Sequence, residues 1–264
     1  MKGSSDPFAH LRKGYEEAAE FYNLFASNED IPLYLEYAEK LGSPILDLAS
    51  GAGRVAIALS KAGYDVYGIE SSEAMLNVAR KYLGALPEIE ADRISLIEGD
   101  MRNFELGIEF PLILIPSSFG HALTTAEQLS VLGCVHRHLQ DNGLFILDLF
   151  PGGALVDHGT FEDPPARMSD GRVVTRFGEM RVDSVNQIIE LKLRFTIEYP
   201  EQSGKETDKI ELLSGASVLY NHEADSLLKT AGFEVLEEFG DFDKRPYTSE
   251  CARRILILAK GEVG

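Results

Sequence analysis

The chain of 264 residues is predicted to have an α/β fold, with a mainly parallel sheet covered by helices on both faces and an antiparallel β insertion. Up to about residue 150, short apolar runs alternate with helical patterns, which is typical of parallel β-α-β connections. After Pro151 the alternation stops, and three longer strand-like runs follow without a helix between them. A helix and two strands then resume the first pattern.

The elements of the first part have clear start and stop signals. An amphipathic helix is predicted at 14–25, and a second begins at Pro32 and ends at Gly42. Ser72 is the predicted N-cap of a later helix. The predicted strands are 44–49, 64–70, 94–100, 110–118 and 143–150, and the helices that connect them include 54–63, 72–83 and 126–140.

The rest of the chain is predicted to contain a β insertion and the end of the sheet. The insertion has strand patterns at 172–182, 186–200 and 209–220, and the sheet closes with a strand at 253–259. We therefore expect three regions. They are 1–151 for the N-terminal helices and the first part of the core, 152–218 for the β insertion, and 219–264 for completion of the core.

Composition excludes several classes of partner. The chain has 25 Lys and Arg against 43 Asp and Glu, a net charge of -18, so a nucleic-acid backbone would be repelled. We expect no membrane span and no signal peptide, because no apolar run is long enough, and hence a cytoplasmic protein. Cys134 and Cys251 are far apart and indicate neither a disulfide framework nor a metal site.

The most informative stretch is ILDLASGAGR, at 45–54, where an apolar run ends in a glycine-rich turn before a helix. Glycines there let a ligand lie against the backbone beside a helix N-terminus. Gly51 and Gly53 also satisfy the G-x-G-x-x-A pattern of nicotinamide-dependent enzymes, which by itself is a weak signal. The glycines alone leave both kinds of cofactor open.

Acidic residues at the carboxyl ends of three successive strands separate these alternatives. Asp47 can attract an ammonium group but offers nothing to a pyrophosphate, and Glu70 can accept hydrogen bonds from both hydroxyls of a ribose. Asp100 can accept from an adenine amino group, with the thioether of Met101 against the ring. The set favours a ligand that contains adenosine and an amino group.

At these positions the chain resembles the class I S-adenosylmethionine-dependent methyltransferases, whose first motif is acidic-x-Gly-x-Gly-x-Gly; here Ala49 replaces the first glycine. The resemblance implies a Rossmann-like sheet of seven strands with an antiparallel last strand. It also implies S-adenosylmethionine as the cofactor and S-adenosylhomocysteine as the product. The cofactor-binding residues expected on this basis are Tyr22, Asp47, Ala49, Gly51, Gly53, Arg54, Glu70, Ser71, Asp100, Met101 and Pro116.

Candidate acceptor residues lie at the ends of later strands and in the first helix. His121 follows the fourth strand and could remove a proton from an attacking amine or hydroxyl, or merely pack, because alignment alone can be sufficient for methyl transfer. Tyr15 and Tyr22 could cover the cofactor or pack in the core. Candidate acceptor-binding residues are Tyr15, Phe119, His121, Phe150, Arg245 and Tyr247, with Arg253 also considered.

The resulting prediction is a methyltransferase that acts on a small-molecule amine or hydroxyl by direct in-line displacement, as a monomer or homodimer and without a metal. The C-terminal pattern loosely resembles the small-molecule N-methyltransferases of that superfamily. This resemblance implies that 1–151 contains the cofactor-binding core and that the insertion, 152–218, is a cap that selects the acceptor. Two alternatives remain at this stage. One is an NAD(P)-dependent oxidoreductase, for which no Tyr-x-x-x-Lys pair is found after the later strands, and the other is a non-catalytic subunit that binds S-adenosylmethionine.

Overall fold

The computed structural model describes residues 6–12, 14–150 and 159–261. Within these ranges the chain forms six α-helices, short 3-10 helices and twelve strands in two sheets. The helices are α1 (Ile31–Leu41), α2 (Arg54–Lys61), α3 (Glu73–Leu83), α4 (Glu88–Ala91), α5 (Thr125–His138) and α6 (Asn221–Thr230). The strands are β1 (Ile45–Leu48), β2 (Val66–Glu70), β3 (Ile94–Glu98), β4 (Phe110–Ile115), β5 (Leu139–Leu149), β6 (Gly159–Glu162), β7 (Ala166–Arg167), β8 (Val173–Asp183), β9 (Ile188–Glu198), β10 (Asp208–Ser217), β11 (Phe233–Phe239) and β12 (Arg254–Lys260).

The larger of the two sheets in the described part of the chain has seven strands in the order β11-β12-β5-β4-β1-β2-β3. Strands β1 to β5 pair in parallel, and β12 runs antiparallel to both of its neighbours. The predicted seven-stranded sheet with an antiparallel last strand is confirmed. The strand order reverses between β1 and β4, and such a reversal leaves a crevice beyond the carboxyl ends of the strands where ligands bind.

The helices follow the local signals of the sequence. Helix α1 ends at Gly42, whose φ of 81° is easily adopted only by glycine. Ser72 caps α3 by accepting a hydrogen bond from the Met75 amide. All six residues of β4 are buried, because helices cover both faces of the sheet at its centre. Within the described ranges, no helix has both the length and the apolar character needed to cross a bilayer.

The smaller sheet contains the three strands predicted for the insertion, with the order β10-β9-β8-β6 and β7 beside β8. Strands β6 and β7 were not predicted, because β6 is exposed along its whole length and β7 has only two residues. One face of this sheet buries Val174 and Phe195 against Ala18 and Phe21 near the N-terminus. This sheet, 159–217, is called the cap below.

The predicted N-terminal helix is a 3-10 helix, Glu16–Phe25, with a non-helical residue at Ala18. The predicted amphipathic helix is therefore present, but with 3-10 winding and an interruption at Ala18. The segment packs on two sides, with Ala18 and Phe21 against the cap and Ala19 against Ala52 of the glycine-rich turn. The segment therefore lies between the cap and the cofactor turn and contacts both.

Candidate functional site

A cleft of about 800 Å³ lies between the carboxyl ends of the core strands and the cap. Its cap wall includes Phe161, Arg176 and Met180, whereas Phe195, an aromatic residue of the same sheet, is buried behind that wall. Most residues expected to contact cofactor or acceptor line this one cleft. They are Tyr15, Tyr22, Ala49, Gly51, Glu70, Ser71, Asp100, Met101, Phe119, His121 and Phe150, together with Arg253.

The turn between β1 and α2 has left-handed backbone at alternate residues. The φ angles of Ala49, Gly51 and Gly53 are 54°, 57° and 79°. The turn is held by hydrogen bonds from the Ser50 amide to the Ile69 carbonyl (3.0 Å) and from the Gly53 amide to the Ser50 carbonyl (2.9 Å). The replacement of the first glycine by Ala49 therefore has two effects. The extra methyl group narrows the space for a ligand beside the turn, and the backbone conformation is also affected. The left-handed backbone of Ala49 is strained for a residue with a Cβ atom.

Glu70, at the end of β2, connects the turn to α3. Its two carboxylate oxygens accept hydrogen bonds from the Gly51 amide (2.9 Å) and the Ser72 amide (2.8 Å). Each carboxylate oxygen can accept more than one hydrogen bond. Glu70 therefore fixes the turn and retains the capacity to bind hydroxyl groups in the cleft.

Gly51 faces a narrow space in the cleft. A Cβ atom added there would lie 3.3 Å from Met75 Cε and 3.9 Å from a ring carbon of Tyr22. The Tyr22 ring packs edge to face against Tyr15, with ring centroids 4.8 Å apart. Burial raises the pKa of both phenols, that of Tyr15 to about 12, so both are neutral. The two rings form an uncharged wall beside the glycine.

Asp47 is the most unusual charged group of the site. Its side chain is 1% exposed, and neither carboxylate oxygen has a hydrogen-bond partner of normal geometry within the described ranges. Burial raises its pKa to about 7, although the positive charge of Arg54 opposes the shift. A buried carboxylate without partners is costly. A ligand ammonium nearby would compensate that cost, directly or through a water molecule.

Asp100 and Met101 follow β3 and line the cleft, but Asp100 already has partners. The Arg102 amide and Nε each donate to Asp100 Oδ1 (2.8 and 2.9 Å), and Arg102 Nη2 donates to Oδ2 (2.5 Å). Arg102 also pairs with Glu127, which in turn pairs with Arg12. This ion network was not predicted, because its members are far apart in the chain.

His121 ends the 3-10 helix Phe119–His121 that follows β4, and it joins the core to the cap. Its Nδ1 lies 3.2 Å from the Gly215 carbonyl of β10, so Nδ1 carries a proton and Nε2 carries the lone pair of the neutral ring. The ring is accessible from the cleft but surrounded by protein, and this desolvation lowers the pKa of His121. The side chain is therefore neutral at pH 7.

Several predicted residues do not line the cleft that the described residues form. Arg54 donates to both oxygens of Asp30 (2.6 and 2.5 Å), and Asp47, Gly53 and Pro116 support the site from behind. Arg245 pairs with Asp243 and Asp241 in an exposed turn, and Tyr247 exchanges hydrogen bonds with Asn221. The placement of Arg245 and Tyr247 therefore does not support the acceptor-binding role that was expected for them. Arg245 is held by its neighbouring carboxylates, and the path of the chain before β12 brings Tyr247 to Asn221 and away from the cleft.

The structure also adds cleft residues that the sequence did not reveal. Asp148 and Ser117 lie on the wall beside Arg253, and Arg176 lies on the cap wall. Asp148 had a detectable signal, since it is the single carboxylate of the otherwise apolar run 143–150 and lies near the carboxyl end of β5. Ser117 and Arg176 had none, because their positions depend on how β4 turns and how the cap folds over.

The known proteins that resemble this chain are methyltransferases. Residues 45–143 match the family described as the methyltransferase domain. An uncharacterised methyltransferase of Geobacillus sp. is 34% identical over 125 residues, 47% of this chain, and the chain spans about half (53%) of that relative. The dTDP-3-amino-3,4,6-trideoxy-α-D-glucopyranose N,N-dimethyltransferase of Streptomyces venezuelae is 28% identical over 230 residues, which cover 82% of this chain and 90% of the relative.

Solved structures share the whole fold. The CcbJ methyltransferase from Streptomyces caelestis has a TM-score of 0.74 at 21% identity, with 92% of this chain and 96% of that chain covered. Streptomyces venezuelae DesVI has a TM-score of 0.72 at 24% identity, with 92% and 98% covered. Residues 45–143 therefore match a methyltransferase domain, and the chain as a whole shares the fold of these solved methyltransferases.

The residues of the cleft fit S-adenosylmethionine. The unpartnered Asp47 carboxylate suits the amino group of its methionine part, and the space at Gly51 admits a chain close to the backbone. Glu70 has hydrogen-bonding capacity for the ribose, and Met101 offers an apolar surface for the adenine. These residues suit S-adenosylmethionine as the cofactor, and the expected alternative of a nicotinamide cofactor gains no support.

Proposed function

We propose that this enzyme methylates the amine nitrogen of a small molecule that binds between the core and the cap. The observation that carries the proposal is the cleft itself, in which the cofactor residues of the core and a separate wall from the cap enclose one volume of about 800 Å³. Pockets for small molecules have volumes of roughly 300–1,000 Å³. The space is sufficient for the cofactor and a metabolite.

The printed names of relatives support an amine as the acceptor. One is the N,N-dimethyltransferase of an amino sugar from Streptomyces venezuelae, and another is the cypemycin N-terminal methyltransferase of a Streptomyces species. Both names specify transfer to nitrogen. We extend that chemistry to this chain because the walls of its cleft combine aromatic rings with a neutral histidine.

When bound, S-adenosylmethionine supplies an electrophilic methyl group on a sulfonium. The contribution of the chain is to orient the reactants and to exclude water. Glu70 would hold the ribose of the cofactor and Asp47 would attract the amino group of its methionine part, while Tyr15, Phe119 and Met180 would enclose the acceptor.

His121 is the proposed proton acceptor. Its hydrogen bond to Gly215 leaves Nε2 as the basic nitrogen, and its lowered pKa keeps that nitrogen unprotonated at pH 7. An acceptor amine that enters as an ammonium ion must lose a proton before its lone pair can attack. His121 Nε2 can accept that proton within the cleft.

The test has two stages. Thermal shift and calorimetry should first detect binding of S-adenosylhomocysteine and no binding of NAD. The protein is then incubated with S-adenosylmethionine and a panel of amino sugars, amino acids, peptides with a free N-terminus, and hydroxyl analogues of each, and methylated products are detected by mass spectrometry. We expect products from an amine and none from its hydroxyl analogue. Methylation of the hydroxyl compounds alone would refute the choice of nitrogen.

A further inference from the structure

Three cleft residues from separate elements meet at one carboxylate oxygen. Asp148 Oδ2, near the carboxyl end of β5, accepts hydrogen bonds from Ser117 Oγ (2.7 Å) and Arg253 Nη1 (2.8 Å). Arg253 Nη1 also donates to Ser117 Oγ (3.3 Å). Asp148 therefore joins the end of β4, the end of β5 and the segment before β12.

The stability of the protein does not explain this carboxylate. The Asp148 side chain is 1% exposed, and its Oδ1 has no hydrogen-bond partner within the described ranges. Burial raises its pKa, even though Arg253 and Ser117 favour the ionised form. An ionised Asp148 is thus less favourable here than in water. Buried groups of this kind concentrate at functional sites.

Ser117 lies where the chain leaves β4. Its φ of 48° is in the left-handed region, which is strained for serine. The next residue, Ser118, donates its hydroxyl to the Pro116 carbonyl (2.8 Å) and accepts the His121 amide at its own carbonyl (3.0 Å). The bond from Ser117 to Asp148 therefore holds a strained turn from which the 3-10 helix with Phe119 and His121 begins.

Arg253 holds the other side of Asp148. Its guanidinium lies over the rings of Phe150 and Phe242, 4.7 and 5.1 Å from their centroids. Two aromatic contacts and the ion pair restrict the movement of Arg253, whose side chain remains 27% exposed. The carboxylate is therefore held between a fixed cation and the Ser117 hydroxyl.

We propose that Asp148 is a positioning residue for methyl transfer, which holds the Ser117 turn and Arg253 so that Phe119 and His121 are presented correctly to the acceptor. This inference rests on the proposed function, because it assigns His121 a place beside the reacting nitrogen. It adds that the His121 geometry is set from two directions. Gly215 of the cap holds the ring, and Asp148 of the core holds the turn that precedes it.

The experiment compares Asp148→Ala, Asp148→Asn and Ser117→Gly with the unaltered enzyme. Ser117→Gly removes the hydroxyl and also relieves the backbone strain, so it separates the hydrogen bond from folding stability. We expect kcat for the identified amine to fall roughly 10- to 100-fold in Asp148→Ala and Ser117→Gly. The KM and the affinity for S-adenosylhomocysteine should change by about twofold at most. Asp148→Asn keeps an accepting oxygen and should retain more of kcat than Asp148→Ala.

Matched controls lie outside the cleft. Asp225→Asn removes a carboxylate paired with Arg254, the neighbour of Arg253, and Gln187→Gly relieves another left-handed residue, with φ of 54°. Both controls should keep the kcat of the unaltered enzyme. An unchanged kcat in Ser117→Gly, or a parallel loss of kcat and cofactor affinity in both Asp148→Ala and Ser117→Gly, would overturn the proposal.

A second readout needs no acceptor. The NMR signals of the His121 ring, assigned with His121→Asn, should shift in Ser117→Gly and Asp148→Ala but not in the two controls. If the enzyme methylates no amine of the panel, the proposed function fails while this readout still decides the positioning role. Unmoved His121 signals in both variants would refute that role.

Discussion

The cofactor half and the acceptor half of the cleft are constructed differently. In the cofactor half, Glu70 binds the amides of Gly51 and Ser72, which are 19 and 2 residues away in the chain. In the acceptor half, His121 binds a carbonyl 94 residues away, and Arg253 binds a carboxylate 105 residues away. The first half is a local motif on consecutive β-α units, and the second depends on the whole fold.

This difference predicts different responses to mutation. A local motif that uses backbone amides should lose cofactor binding when an added side chain blocks access to the backbone. The rest of the structure should change little. A site assembled from distant segments should fail when a single long-range bond is lost, while cofactor binding remains. The following experiments test that contrast.

Gly51→Val should have the largest effect, namely loss of detectable S-adenosylhomocysteine binding in calorimetry. The new side chain would fill the space beside Met75 and Tyr22 and strain a residue with φ of 57°. Gly63→Val is the control, because Gly63 has φ of 98° but nothing within 4 Å of an added Cβ. If both variants bind normally, the glycine turn is not the cofactor site.

Asp47→Asn should alter the pH dependence of stability. The folded pKa of about 7 lies above the ordinary value of 3.8, so the folded state binds more protons and the free energy of unfolding falls as pH rises from about 4 to about 7. At 1.36 kcal/mol per pKa unit, this costs on the order of 4 kcal/mol above pH 7. In the Asp47→Asn variant, the free energy of unfolding should not fall in this way, as measured by urea unfolding at several pH values without ligand.

The same titration on Asp141→Asn is the control for Asp47, because Asp141 is an exposed partner of Lys260. Its pH dependence should match that of the unaltered protein. An Asp47→Asn curve parallel to that of the unaltered protein would show that Asp47 is ionised without penalty, and its proposed attraction for an ammonium group would lose its support.

His121→Asn should lower kcat for the identified amine about 100-fold, as expected for loss of a general base. The enzyme should lose activity below the lowered pKa of His121, as the ring becomes protonated, and the variant should lack that acid limb. Cofactor affinity should stay unchanged, in contrast to Gly51→Val. His136→Asn, half-buried on α5 outside the cleft, is the control. A measurable rate with an unaltered pH profile would show that His121 only packs.

Ala49→Gly should have the smallest effect, a gain of roughly 1 kcal/mol in the free energy of unfolding, because it relieves a left-handed alanine. Ala52→Gly in the same turn removes a buried methyl group that packs against Met75, and it should lower stability instead. Chemical denaturation measures both. Equal losses in the two variants would mean that the Ala49 backbone is not strained in solution.

Much of the core and cofactor site could be predicted because their signals are local. Apolar runs and caps such as Gly42 and Ser72 marked the elements, and the spacing of Gly51 and Glu70 marked the cleft wall. The strain at Ala49 was not predicted, because the backbone conformation of the turn is not visible in the residue type.

The acceptor half was predicted less well. Arg245 and Tyr247 were expected in the cleft and lie outside it, while Asp148 and Ser117 were missed. No pattern in a short window of sequence indicates which carboxylate an arginine will meet 105 residues away.

The sequence by itself determined the order of strands and helices, the glycine turn and the acidic residues at the carboxyl ends of β1, β2 and β3. Backbone geometry and burial periodicity act over a few residues, so these features are encoded where they occur. The tertiary structure alone decided the 3-10 winding near the N-terminus, the attachment of His121 to the cap and the burial of Asp148. Those outcomes depend on which distant surfaces meet, because the free energy of each contact arises only after the chain has folded around it.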